Sequence, residues 1–238
     1  MTVTVSPKPG YSLKSLTAVE KDGTALDLAD LGGGKYAFLM PAGKVTVTAE
    51  WETVSTVRHT FADVSADAYY ADAVAWAVEK GITGGTGEST FSPDADCTRA
   101  QIVTFLWRAA GSPVVNYAMD FADVSDDAYY AAAVRWAVSE GITGGTGEGT
   151  FSPDDTCTRA QAVAFLYRSE QAGGGGMQGE WMFHNPFDDV DLESYYGEAV
   201  MWAVANGVTT GTGETTFSPH SGCTRGQIVT LLHRALGE

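Results

Sequence analysis

The chain is poor in positive charge, in cysteine and in long apolar runs, and each shortage excludes something. Lys and Arg number 14 against 30 Asp and Glu in 238 residues, a formal net charge of −16. That balance argues against nucleic acid as a partner, because neutralising phosphates needs a basic surface. Any anionic ligand must be held by local cations working against the overall field. No stretch approaches the roughly 18 apolar residues of a membrane span. Met1 leads straight into TVTVSP with no basic-then-apolar leader. The sequence therefore fits either a cytosolic protein or a piece of a longer exported chain whose signal lies upstream. The three cysteines, Cys97, Cys157 and Cys223, are too few and too symmetric for a disulfide framework. They read as small buried apolar residues. The alternative, a three-thiolate metal site shared between repeats, lacks the usual CxxC or CxxH spacing.

What the chain has in quantity is repetition. Phe61, Phe121 and Phe187 align at intervals of 60 and 66 residues, and the same offsets carry Trp76 to Trp136 and Trp202, and Arg99 to Arg159 and Arg225. This is a true internal repeat. We divide the chain into a β-module (1–52), a connector (53–60), repeats at 61–112, 121–170 and 187–238, and a glycine-rich linker (171–186). In the first repeat, YYADAVAWAVEKG carries apolar residues at helical spacing and stops at Gly81. After a glycine-rich loop, TRAQIVTFLWRAAG opens with a capping box, Thr98 as N-cap and Gln101 at N3, and continues as a second helix. Two such helices bury too little alone, so three copies are expected to share one core. Residues 1–52 instead show short alternating segments between KDG, LGGG and PAG turns, the pattern of a small β-module.

Each repeat carries two arginines nine residues apart, on opposite sides of the second helix. Arg108, Arg168 and Arg234 lie near the helix C-terminus, where a cation complements the macrodipole. Arg99, Arg159 and Arg225 fall at N1, where the dipole disfavours a cation and unpaired N–H groups point outward. A guanidinium facing solvent beside such a terminus forms an anion site able to grip a carboxylate. The capping box closes with Gln101, Gln161 and Gln227 rather than Glu, so the box supplies no carboxylate. Internal pairing of Arg99 with Asp63, Glu88, Asp94 or Asp96 is the competing reading, and the sequence leaves both open.

The remaining repeated residues also carry two readings each. Gly84, Gly85, Gly87 and Gly145 either supply left-handed turns or let backbone approach a ligand. Trp76, Trp136 and Trp202 are core anchors at helical spacing, or border a sugar groove. Asp63, Asp123 and Asp189 are turn or cap residues before the first helix, or partners for carbohydrate hydroxyls.

The order F-x-D-V, a Trp-bearing helix, G-I-T-G-G, G-E-x-T-F-S-P and T-R-A-Q resembles the S-layer homology domain, from about Phe61 to the C-terminus. The resemblance implies a mainly α fold of three helix-loop-helix repeats in a pseudo-threefold bundle with grooves between neighbours. It implies binding to secondary cell-wall polysaccharide on peptidoglycan, often pyruvylated, and a place at the bacterial cell surface. Carried over by motif, the family's arginine falls on Arg99, Arg159 and Arg225; with them, Gln101, Gln161, Gly85, Gly145, Asp63, Asp123, Trp76 and Trp136 are the residues expected to line the glycan site. Cys before the threonine and Gln in place of the usual Glu depart from the family pattern and bear on which glycan is recognised. The third copy diverges most: Thr210 stands for Gly84 and Gly144, His220 for Asp94 and Asp154, Gly226 for Ala100 and Ala160. Its groove is expected to bind differently or not at all. The N-terminal module is similar to internalin-type bacterial surface repeats, which implies a spacer on a longer surface protein and hence a C-terminal fragment.

Three functional classes compete: a non-catalytic wall anchor, a self-assembly or protein-docking module, and an enzyme. The sequence carries no nucleophile elbow or metal-ligand spacing, and His59, His184, His220 and His233 do not recur at equivalent positions. No cofactor or catalytic residue is expected. Tripled sites suit multivalent binding, since linked weak sites gain avidity, so the anchor ranks first and docking second.

Overall fold

Each Tyr-Tyr-x-x-Ala-Val stretch opens a nine-residue helix whose buried residues fall on one face. These helices are α1 (Ala71–Glu79), α3 (Ala131–Ser139) and α5 (Gly197–Ala205). Each ends as its pattern predicts: Gly81, Gly141 and Gly207 adopt φ near +70°, which turns the chain and lets the N–H of Ile82 reach Ala77 O at 2.8 Å. The partner helices are α2 (Arg99–Ala109), α4 (Arg159–Ala172) and α6 (Arg225–Leu236). All three begin with the expected capping box, in which Thr98, Thr158 and Thr224 accept from the N3 backbone and the Gln carbonyl oxygen answers the N-cap N–H. The computed structural model describes residues 1–5, 11–32, 34–53, 61–174 and 185–237. Most of the expected connector, the second half of the linker's glycine run, and His59 and His184 lie outside the described residues. Helix α4 extends two residues into the expected linker.

The chain divides into two compact units, Met1–Arg58 and His59–Glu238. In the first, β1 (Thr2–Thr4), β3 (Ala29–Asp30) and β4 (Lys35–Ala37) form an antiparallel sheet in the order β1-β4-β3. A second antiparallel pair joins β2 (Tyr11–Glu20) to β5 (Val45–Thr53), with a register shift between Leu13 and Ser15. The alternating segments are strands; the two-residue β3 carries no sequence pattern that announces it.

In the second unit the helix pairs form between copies. Helix α2 packs on α3, α4 on α5, and α6 on α1. Trp76 meets His233 across the α1–α6 pair at 5.2 Å between ring centroids, and Tyr167 meets Trp202 across α4–α5 at 5.4 Å. The backbone closes the same cycle. The N–H of Cys97 donates to Cys223 O, that of Cys157 to Cys97 O, and that of Cys223 to Cys157 O, each at 2.9 Å. The three thiols are fully buried and form no disulfide. Burial pushes Cys97 and Cys157 up to about 12, so the sulfurs sit in the core as neutral, apolar groups. Among the described residues, no group of three His, Cys, Asp or Glu side chains is placed to hold a metal ion.

Candidate functional site

The arginines at N1 depart from expectation in a specific way. Arg99, Arg159 and Arg225 are 2%, 5% and 4% exposed, not solvent-facing. Nε of Arg99 donates to Phe151 O at 2.9 Å, Nε of Arg159 to Phe217 O at 2.9 Å, and Nε of Arg225 to Phe91 O at 2.7 Å. Each acceptor lies in the next copy, and each guanidinium carbon sits 4.8–4.9 Å from the centroid of that same Phe ring. A cation over an aromatic face is attracted by the ring quadrupole, and a planar, weakly hydrated guanidinium can also stack on it. Burial pushes all three guanidinium groups below their ordinary value. Among the described residues, no carboxylate comes within 4.0 Å of them, so the internal ion pair is not formed either.

The amide donors of the helix terminus are spent as well. The N–H of Arg99 donates to Asp155 O at 2.9 Å and that of Ala100 to Pro153 O at 3.0 Å; Gln101 N donates to Thr98 Oγ1. The N–H of Ile102 reaches Thr98 O. Equivalent bonds hold α4 to Ser221 and Pro219, and α6 to Ala95 and Pro93. The anion site expected from the helix N-terminus is therefore filled by the neighbouring copy, because closing the ring brings its loop carbonyls to those donors. What remains for a ligand is the outer edge of the guanidinium.

Arg159 lines a cavity of about 330 Å³. Three copies build it: Tyr69 from the first, Arg159 from the second, and Thr209, Gly211, Gln227 and Arg234 from the third. The loop over the arginine is fixed from within. Gly211 adopts φ +90°, and its N–H donates to Thr209 Oγ1 at 3.1 Å. Gly85 and Gly145 repeat that geometry with Thr83 and Thr143 at 3.2 and 3.1 Å. A cyclic shift by one copy gives two counterparts. In one, Arg225 donates through Nη2 to Thr83 Oγ1 at 3.3 Å and lies within electrostatic reach of Tyr129. In the other, Arg99 stands in the same relation to Tyr195, and its buried Nη2 has no hydrogen-bond partner among the described residues. We call these three arrangements cradles.

The other expected residues are placed differently. Asp63 accepts from the N–H groups of Phe91 and Ser92 at 2.8 and 2.7 Å, and Asp123 and Asp189 do the same at Phe151/Ser152 and Phe217/Ser218. They tie the FSP loop of their own copy rather than cap the first helix. The Ser residues so held have φ of 56–58°, a conformation that non-glycine residues adopt at a cost. Trp136 and Trp202 are buried core residues and Trp76 is half-buried against His233. The side chains of Gln101 and Gln161 serve the capping boxes. Arg108, Arg168 and Arg234 donate to Ile82 O, Ile142 O and Val208 O at 3.0, 3.1 and 3.4 Å, clamping the loop after the first helix. Arg234 also reaches the cavity, a role the macrodipole argument did not suggest. Tyr69 was missed too, although the first Tyr of each YY pair recurs at the repeat interval and Tyr69, Tyr129 and Tyr195 are all exposed.

Comparison with known proteins places the chain in a family. A family model described as the S-layer homology domain matches residues 60–103, 120–163 and 186–229, together more than half of the chain. A cell surface protein of Thermoanaerobacter kivui is 36% identical over 114 residues, 46% of this chain and 15% of that protein. A cellulosome-anchoring protein of Acetivibrio thermocellus is 28% identical over 174 residues, 65% of this chain and 37% of its own length. An S-layer protein of Bacillus anthracis is 28% identical over 180 residues, 73% of this chain and 21% of its own. The chain thus spans well under half the length of each of these relatives.

Proposed function

Since the chain belongs to the S-layer homology domain family, we propose that it is a non-catalytic module that anchors a larger protein to the cell wall by binding an anionic, pyruvylated secondary cell-wall polysaccharide in the cradles between its copies. Domains of this family bind cell-wall polymers, and the relatives indicate a cell-surface or cell-wall location. No helix among the described residues is long and apolar enough to cross a membrane. The observation that carries the proposal is Arg159. It is a buried guanidinium with no carboxylate within ion-pair distance among the described residues, and it lines a cavity that Tyr69 and Arg234 also line. A cation held in that state favours a carboxylate ligand, because the attraction is little screened and the desolvation cost has already been met on folding.

The architecture proposed alongside is a pseudo-threefold bundle, supported by the closed cycle of cysteine backbone bonds and of arginine-to-Phe carbonyl bonds. The N-terminal β-unit is taken as an internalin-type surface repeat serving as a spacer.

The test is sedimentation with Gram-positive walls. The chain should pellet with walls that retain their secondary polymer and remain in the supernatant after mild acid has released it. Undiminished pelleting with stripped peptidoglycan would refute the proposed ligand.

A further inference from the structure

One wall distinguishes the third cradle from its counterparts. Where the loop crosses the arginine, the first two copies carry Gly84 and Gly144, and a Cβ built on either meets no heavy atom within 4 Å. The third copy carries Thr210, exposed and lining the cavity. The surrounding loop is otherwise shared, with a buried threonine before this position and a left-handed glycine after it in every copy. A β-branched side chain therefore projects into space that the other two cradles leave open.

We propose that the third cradle is a separate and more restrictive site. It accepts the carboxylate-bearing ketal as the other two do, but discriminates against the sugar ring that carries it, because Thr210 occupies volume left free over Gly84 and Gly144. The inference rests on the carboxylate reading of the cradles given above. A methyl and a hydroxyl forced against a bound ring cost at least about tenfold in affinity, by analogy with overpacking a filled site. One chain then offers two equivalent sites and one selective site, so that three tandem copies need not mean three identical grips on the polymer.

The amides of Gly85, Gly145 and Gly211 report one cradle each, and ¹⁵N-labelled full chain can be titrated while all three are followed. Two kinds of probe separate anion from sugar. The first is 2-methyl-1,3-dioxane-2-carboxylate, the bare pyruvate ketal. The second is the pair of 4,6-pyruvate ketals of methyl N-acetylglucosaminide and methyl N-acetylmannosaminide. The bare ketal should shift the three glycines at similar concentrations. A glycoside that binds should saturate Gly85 and Gly145 at a concentration at least about tenfold lower than Gly211. Thr210→Gly should bring Gly211 onto the curve of the other two, and Gly84→Thr should move Gly85 off it, with the remaining amides confirming an intact fold. Coincident curves for all three glycines, or a Gly211 curve unmoved by Thr210→Gly, overturn the inference and leave the carboxylate reading standing. If neither kind of probe shifts any of the three, that reading fails and the inference fails with it.

Discussion

Gly84 and Gly85 are neighbours in sequence and answer to opposite constraints. Gly85 holds φ +90°, and a Cβ there would lie 2.6 Å from both Phe61 Cε1 and Thr90 O. Gly84 has open space around it. Gly85→Ala is expected to cost about 2 kcal/mol or more, from the left-handed backbone and the clash together, while Gly84→Ala stays within about 0.5 kcal/mol. Denaturant unfolding followed by helical ellipticity decides it; equal losses would mean that the loop relaxes freely. Asp63 and Asp123 make a pH-dependent prediction. Burial works against both carboxylates, but the N–H donors of Phe91 and Ser92, and of Phe151 and Ser152, outweigh it and hold them below the ordinary 3.8. A folded-state value below the unfolded one stabilises the fold above about pH 4, and that contribution disappears as pH falls through the depressed value. Asp63→Asn should therefore lose roughly 1–2 kcal/mol at pH 7, and the gap to the parent chain should shrink as pH falls through the depressed value. A loss of the same size at both ends of that range would show that the carboxylate charge is not what holds the loop.

At the scale of the element, the helices were written plainly in the sequence. Thr98 and Gln101 stand at capping-box spacing, Gly81 marks a stop, and the apolar residues between recur with helical period, all of which are relations within a few residues. The partners of the helix N-termini are not of that kind. Arg225 bonds to Phe91 and Arg99 to Phe151, at separations of 134 and 52 residues, and nothing local to Arg99 distinguishes an open N-terminus from one covered by Asp155 and Pro153. The arginines could thus be picked out as anomalous from sequence, while their burial could not. Arg234 and Tyr69 escaped for a related reason: one looks ordinary on its helix and the other in the turn before α1, and each becomes part of a cradle only when three copies meet. Within a helix the cap remains a local matter. Thr98→Ala should cost about 1 kcal/mol, and Thr158→Ala and Thr224→Ala about the same, since all three boxes share one geometry. Thermal melts of the three variants would show a marked spread if the caps carried unequal roles.

At the scale of the whole second unit, the decisive feature is that no copy completes its own helix pair. Helix α1 packs on α6, so the first and last helices of the unit close one cycle, and the buried cysteines and arginines repeat that closure in the backbone and in the side chains. Arrays whose repeats touch only sequence neighbours can fray from one end; a closed cycle has no end from which to fray. All six described helices lie in this unit, so the ellipticity at helical wavelengths reports on it alone. Ile228 in α6 and Ile102 in α2 are fully buried, and trimming either to valine removes one methylene at a cost of about 0.5–1.5 kcal/mol. Ile228→Val should lower the midpoint of the entire helical transition and leave it single, and Ile102→Val should do the same from the opposite end of the unit. A biphasic melt, in which about two-thirds of the helical signal kept the parent midpoint, would show the copies melting independently. It would also dissolve the cradles as a common structure, because each is assembled from three copies and exists only while the cycle is closed.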